Sequence, residues 1–231
     1  MKPNIYNFVL RALKEEIEER GYDSRKIKTL IKNYSWFLSE YSLLRAFLRS
    51  KLPIDKYEQS VSFLVRRHEA LADEVDSEST VLDIGCGLGI LACILAKKGC
   101  RVYGIDIDAD SLSVAKRLSK MLRVEKLCIF QKVESNTLPF ETSTFHYVIL
   151  SWTLHDIKME NHELLLSECI RVLKPEGRLL ILDPESQLNF LQVQETLSKH
   201  SAKRIQQKAL QKVYAHGAFT DALLAIYQKV R

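Results

Sequence analysis

Between Thr80 and Asp106 the chain reads TVLDIGCGLGILACILAKKGCRVYGID. Asp83, Gly85, Gly87 and Gly89 alternate with other residues there. Glycine at that spacing lets the backbone turn tightly and lets a ligand lie against the main chain. A carboxylate at Asp106 can accept hydrogen bonds from the two hydroxyls of a ribose. The third glycine comes one residue early for the dinucleotide pattern G-x-G-x-x-G, and Ile90 stands where that pattern needs glycine or alanine, so a nicotinamide or flavin dinucleotide is disfavoured.

These residues need elements to hold them. Val81 to Ile84 is a short apolar run that predicts a strand buried on both faces, and Val102 to Ile105, ending at Asp106, predicts a second. Ile90 to Lys98 reads as the helix between them, with Gly99 placed to terminate it. Asp108 can cap a helix reaching about Arg123. Leu127–Phe130, Phe145–Leu150 and Leu179–Leu182 follow as further apolar strands, with a helix from Asn161 to Leu173 closed by Lys174-Pro175-Glu176-Gly177. Strands alternating with helices predict an α/β fold, a doubly wound and mostly parallel sheet. In the tail, Phe190, Val193 and Leu197 form one helical stripe. Ala202, Ile205, Ala209 and Val213 form another, which predicts a second helix. Leu223–Val230 reads as a final strand, pairing antiparallel with Val213–His216 across a Gly217–Asp221 turn.

The first 78 residues are helical by pattern: Ile5, Phe8, Val9, Ala12, Leu13 and Ile17 open a series of four amphipathic pieces that Asp76-Ser77-Glu78-Ser79 brings to an end. The expected division is therefore 1–78, an N-terminal helical extension, and 79–231, the ligand-binding domain. Of the 9 Tyr, 9 Phe and 2 Trp in the chain, half precede residue 79, among them Trp36, Phe37, Tyr41 and Phe47. They serve either as packing between helices or as the wall of a substrate pocket.

The combination Asp83-x-Gly85-x-Gly87-x-Gly89 with Asp106 at the next strand end resembles the class I S-adenosylmethionine-dependent methyltransferases, and specific motifs carry the resemblance to about Pro184. It implies a Rossmann-like fold, S-adenosyl-L-methionine as cofactor and methyl transfer by in-line displacement. In this family the glycine loop, here Gly85, Cys86, Gly87 and Gly89, wraps the amino-acid part of the cofactor. Asp83 orients the loop, and Asp106 with Ile107 meets the ribose. Glu134, four residues before Leu138-Pro139-Phe140, stands where an aspartate commonly takes the adenine amino group, with Ser135 beside the ring. Phe145-His146-Tyr147-Val148-Ile149 matches the fourth-strand motif except that His146 replaces an aspartate, removing an acidic position near the cofactor loop. Ser151 and Trp152 leave that strand toward the cofactor, and the Leu154-His155 pair makes His155 the candidate general base. Arg171-Val172-Leu173-Lys174-Pro175-Glu176-Gly177 is similar to the family's closing turn, with a structural role.

The resemblance implies a small molecule as methyl acceptor. Two alternatives stand beside it: an RNA or protein methyltransferase, and a non-catalytic module that only binds the cofactor. Arg204, Lys208 and Lys212 would form a basic helical stripe, but an apolar stripe runs alongside it, so nucleic acid is disfavoured as a partner. Composition narrows the field further. A hydrophobic share of 46% and a charged share of 27% are those of a folded domain, and the net charge of +5 is concentrated in residues 185–231, with seven basic side chains against three acidic. No signal peptide or run of eighteen apolar residues is found, so a cytoplasmic protein without a membrane partner is expected. The 5 Cys are an odd number without a C-x-x-C pair, and the 6 His do not cluster, so reduced thiols and no metal are expected.

Overall fold

Apolar runs such as Val81–Ile84 lose least free energy to water in the middle of a sheet covered on both sides, and the computed structural model places them there. It describes residues 67–135, 137–215 and 218–230. The unit carrying the sheet runs from Arg67 to Arg231. The N-terminal helical pieces and aromatic residues before residue 67 lie outside the described residues.

Seven strands form one sheet: β1 (Thr80–Ile84), β2 (Arg101–Asp106), β3 (Cys128–Lys132), β4 (Phe145–Ser151), β5 (Leu173–Pro184), β6 (Ala202–Ala215) and β7 (Ala218–Lys229). Their order is β3-β2-β1-β4-β5-β7-β6. The first five are parallel, and β7 pairs antiparallel with both β5 and β6. Among the described residues the sheet is packed by helices α1 (Ile90–Lys97), α2 (Ala109–Met121), α3 (His162–Val172) and α4 (Phe190–Lys199). On one face Leu82, Ile84, Val148, Leu150, Leu179 and Ile181 pack against Leu165, Leu166 and Cys169 of α3 and Val193 and Leu197 of α4. The order in which strands are added reverses between β1 and β4, which opens a crevice at the carboxyl ends of the strands, the ligand-binding position of open parallel sheets.

Local chemistry sets the element ends. The Asp108 side chain accepts from the backbone N–H groups of Asp110 and Ser111, so α2 starts at Ala109. Gly99, at φ 88°, ends the turn after α1. A helical segment at 67–73 packs Leu71 and Ala72 inward, and Lys98 Nζ donates to the carbonyls of Ala72 and Val75.

Several expectations are corrected. The second tail helix, built on Ala202, Ile205, Ala209 and Val213, is instead β6, and the hairpin extends far beyond the pairing expected at its tip, down to Ala202 opposite Lys229. Asp221 lies within β7 rather than in a turn. The basic stripe goes with that helix: Arg204 stands opposite Tyr227 and Lys208 opposite Leu224, and a register shift between them puts the two side chains on opposite faces. Lys174–Gly177, expected as the turn that closes the preceding helix, lies instead within β5, which begins at Leu173 directly after α3. Leu173 already pairs with Phe145, Arg178 pairs with Tyr147, and the residues between bulge out of β5 with Glu176 at φ 64°.

All five cysteines are free, four of them buried. Among the described residues no helix is long and apolar enough to cross a membrane, and no cluster of His, Cys, Asp or Glu could hold a metal ion.

Candidate active site

A cleft of about 300 Å³ opens at the carboxyl ends of β1, β2 and β4; Gly85, Asp106, Ile107, Glu134, Ser135, Trp152, Thr153 and Asp156 are among its lining residues. The glycine loop is anchored where β1 ends, the N–H groups of Gly85 and Cys86 both donating to the Ile105 carbonyl at 2.8 and 3.1 Å. The three loop glycines answer to different constraints. A β-carbon on Gly85 would lie 2.3 Å from Thr153 Oγ1, and one on Gly89 2.7 Å from the Ala115 β-carbon, so both positions are filled by the protein itself. Around Gly87, at φ 50°, no atom of the described residues lies within 4 Å of that point, which leaves open space against the main chain.

Asp106 braces the same loop. One carboxylate oxygen accepts the Gly87 N–H at 2.8 Å and the other the Asp108 N–H at 2.9 Å. Each oxygen keeps a further lone pair, so the carboxylate can still accept from hydroxyls in the cleft. Asp83 sits deeper. It is buried, its Oδ2 has no hydrogen-bond partner among the described residues, and burial lifts its carboxyl to about 7, against the pull of Arg67 and with the push of Asp106.

Arg67 lies with its guanidinium carbon 5.2 Å from the centre of the Trp152 ring, a cation over an aromatic face. Burial brings the guanidinium down to about 10, the carboxylates of Asp183 and then Asp83 opposing it, and its Nε has no partner. Trp152 adopts φ 58°, a left-handed conformation that a bulky residue occupies only under constraint. Its N–H donates to Leu182 O at 2.8 Å, which holds the turn out of β4.

His155 does not line the cleft. Its side chain is 3% exposed, and Nδ1 lies 2.6 Å from Oδ1 of the fully buried Asp183. Asp183 also accepts the N–H groups of Thr153 and Leu154, each at 3.1 Å. The hydrogen bond to Asp183 raises the His155 pKa against the opposing effect of burial, while burial raises that of Asp183. Nε2 of His155 lies 3.4 Å from Asp156, whose exposed carboxylate does line the cleft.

The remaining expected residues divide. Glu134 and Ser135 reach the cleft, Glu134 paired with Lys132 at 2.5 Å and its carboxyl thereby lowered, and Ser135 Oγ accepting the Thr137 N–H. Ile107 is 69% exposed at the mouth. Cys86 turns inward, its sulfur where a β-carbon on Gly104 would come within 2.9 Å, so it offers the cleft backbone only. Ser151 is half-buried and is not a lining residue; its hydroxyl oxygen is buried without a partner. His146 stands at the amino end of the sheet, with Nδ1 accepting the Thr80 N–H at 3.0 Å and Nε2 beside Lys174. Its replacement of an aspartate therefore leaves the cofactor-loop end untouched, a correction to the expectation above. Sequence reasoning did not single out Arg67, Thr153, Asp156 or Asp183. Of these only Asp183 left a signal, an acidic residue closing the apolar run of β5.

A glycine loop over open space, a carboxylate closing β2 and this strand order define a nucleoside-binding α/β domain of the methyltransferase type. Residues 82–181 match the family model described as a methyltransferase domain. The methyltransferase GfsG of Streptomyces halstedii is 32% identical over 48% of this chain and 39% of its own. The demethylmenaquinone methyltransferase of Bacillus cereus is 31% identical over 56% and 57%. A SAM-dependent methyltransferase structure from Methanosarcina mazei superposes with a TM-score of 0.60 at 19% identity, covering 70% of this chain and 97% of that one. The chain spans about half the length of the curated relatives it matches. Residues 82–181 thus carry a methyltransferase domain similar to the class I enzymes, and S-adenosylmethionine is the expected cofactor.

Proposed function

We propose that the chain transfers a methyl group from S-adenosylmethionine to a small-molecule acceptor. The observation that carries this reading is the juxtaposition of open space against the Gly87 backbone with a buried Asp83 oxygen that lacks a partner. A loop that needed only to pack would leave neither. Asp83 Oδ2 and Arg67 Nε, an acceptor and a donor atom unpaired among the described residues, suit the amino-acid end of the cofactor, Asp106 and Ile107 the ribose, and Glu134 and Ser135 the base. Bound there, the cofactor supplies a methyl group activated by a sulfonium.

The chain's own work is alignment and exclusion of water, and orientation of this kind is worth up to about 7–11 kcal/mol. Asp183 fixes the turn from Thr153 to His155 and thus the wall opposite Asp106. Where the acceptor carries a proton, Asp156 receives it at the cleft with His155 behind it, and Asp183 holds the imidazole. The names of the relatives support a small acceptor, one being a demethylmenaquinone methyltransferase. Calorimetry with S-adenosylhomocysteine, then incubation of labelled cofactor with a metabolite extract and mass spectrometry of the product, tests the reading. Binding without turnover leaves the non-catalytic module, label in RNA or protein names another acceptor, and absence of binding overturns the proposal.

A further inference from the structure

The cleft wall beyond β3 is a loop, and loops keep a fixed shape only when their backbone groups are satisfied. Leu138 lines this wall and is 3% exposed, so both of its backbone polar groups need partners away from water. Two side chains of α3 provide them. Glu168 Oε2 accepts the Leu138 N–H at 2.9 Å, and Arg171 Nη2 donates to Leu138 O at 3.0 Å. Arg171 Nη1 donates to Phe140 O at 2.8 Å, while Nε and Nη2 bond Glu168 at 2.6 and 2.8 Å. The loop's own N–H from Phe140 to Leu138 O closes the turn around Pro139.

We propose that Glu168 and Arg171 are positioning residues for the cofactor: the pair clamps Leu138-Pro139-Phe140 so that Leu138, with Val133, Glu134 and Ser135, presents a rigid wall to the cleft. The inference rests on the methyltransferase reading above. Arg171 presents a planar fork that meets a carboxylate on two nitrogens while still reaching two carbonyls, a task that lysine, with one nitrogen, cannot perform. Glu168 belongs to the same device, because its second acceptor site fixes the N–H of the residue whose carbonyl Arg171 holds. Glu168 and Arg171 thereby tie helix α3 to the cleft wall without lining the cleft themselves.

The test uses Arg171→Lys and Glu168→Gln, with Leu197→Ala in α4 as a control that lowers the melting temperature through the core alone. Hydrogen exchange should accelerate in residues 133–142 of both clamp variants while β1 and β4 stay protected. Losing one charged hydrogen bond's worth of order should raise the dissociation constants of S-adenosylhomocysteine and of adenosine by about tenfold. The control should leave both constants near wild type. Wild-type affinity in a folded clamp variant, or an equal loss in Leu197→Ala, overturns the clamp while leaving the methyltransferase reading intact. Failure of the wild-type protein to bind S-adenosylhomocysteine overturns that reading and the clamp with it.

Discussion

Gly85 and Thr153 occupy one space: a β-carbon on the glycine would stand 2.3 Å from the threonine Oγ1, which is itself held by the Ile84 carbonyl at 3.1 Å. The loop leaving β1 and the turn leaving β4 therefore have a single joint fit. Gly85→Ala should destabilise the fold by about 2–4 kcal/mol, combining positive-φ strain with overpacking. Thr153→Ala in the same chain should recover part of that loss. Urea unfolding of the two single variants and the double one measures the coupling, and strictly additive losses would contradict a shared site.

Asp106 braces the loop and faces the cleft together, so removing the whole side chain confounds the two roles. Asp106→Asn keeps one acceptor and the size. It should weaken S-adenosylhomocysteine binding by about 1–3 kcal/mol, and because one of the two loop N–H groups loses its acceptor the melting temperature of the free protein should fall modestly as well. Unchanged affinity by calorimetry would remove Asp106 from the ribose.

The buried Asp83 gives the free protein a pH dependence of definite sign. Its carboxyl rises from the ordinary 3.8 to about 7 on folding, so between those values the folded state holds a proton that the unfolded chain has lost. Stability therefore falls as pH rises through that window, by a total on the order of 4 kcal/mol. His155, raised by Asp183, acts in the same direction, its contribution present below the unfolded pKa and lost as pH rises through the folded one. Asp83→Asn, which mimics the protonated acid, should flatten the profile; an unaltered slope in denaturant titrations from pH 4 to 7 would exclude a buried proton on Asp83.

If His155 takes part in proton removal through Asp156, His155→Ala should spare cofactor affinity while lowering turnover by about 10²-fold. Asp156→Asn should then lower turnover to a similar degree, measured as initial rates at saturating cofactor. Full turnover by folded His155→Ala would leave the imidazole as a prop for the Thr153–His155 turn.

Legibility in the sequence followed the range of the interactions. The glycine loop, the ends of β1 and β2 and the Asp108 cap are set by residues a few positions apart, and all were readable. β6 was hidden because strand pairing is recognised by alternation, and two register shifts, between Arg204 and Gln206 and between Leu210 and Val213, break the period of two. What remained was an accidental helical spacing of Ala202, Ile205 and Ala209. Pro175 and Gly177 marked a turn correctly, yet a bulge uses the same residues without ending the strand. Asp183 with His155, and Arg67 over Trp152, join positions far apart in the chain, and local pattern carries no trace of such pairs.

The place of β7 in the sheet constrains how the protein is made. This strand is the last of the seven to be synthesised, yet it lies inside the sheet, between β5 and β6. Until about residue 229 has left the ribosome, β5 presents an uncovered apolar edge and β6 has no strand to pair with. Such an edge is a template for association with other chains. A nascent chain stalled after β6 is thus the form most in need of a chaperone, and trimming back into Leu223–Tyr227 would remove the middle of a sheet rather than its fringe.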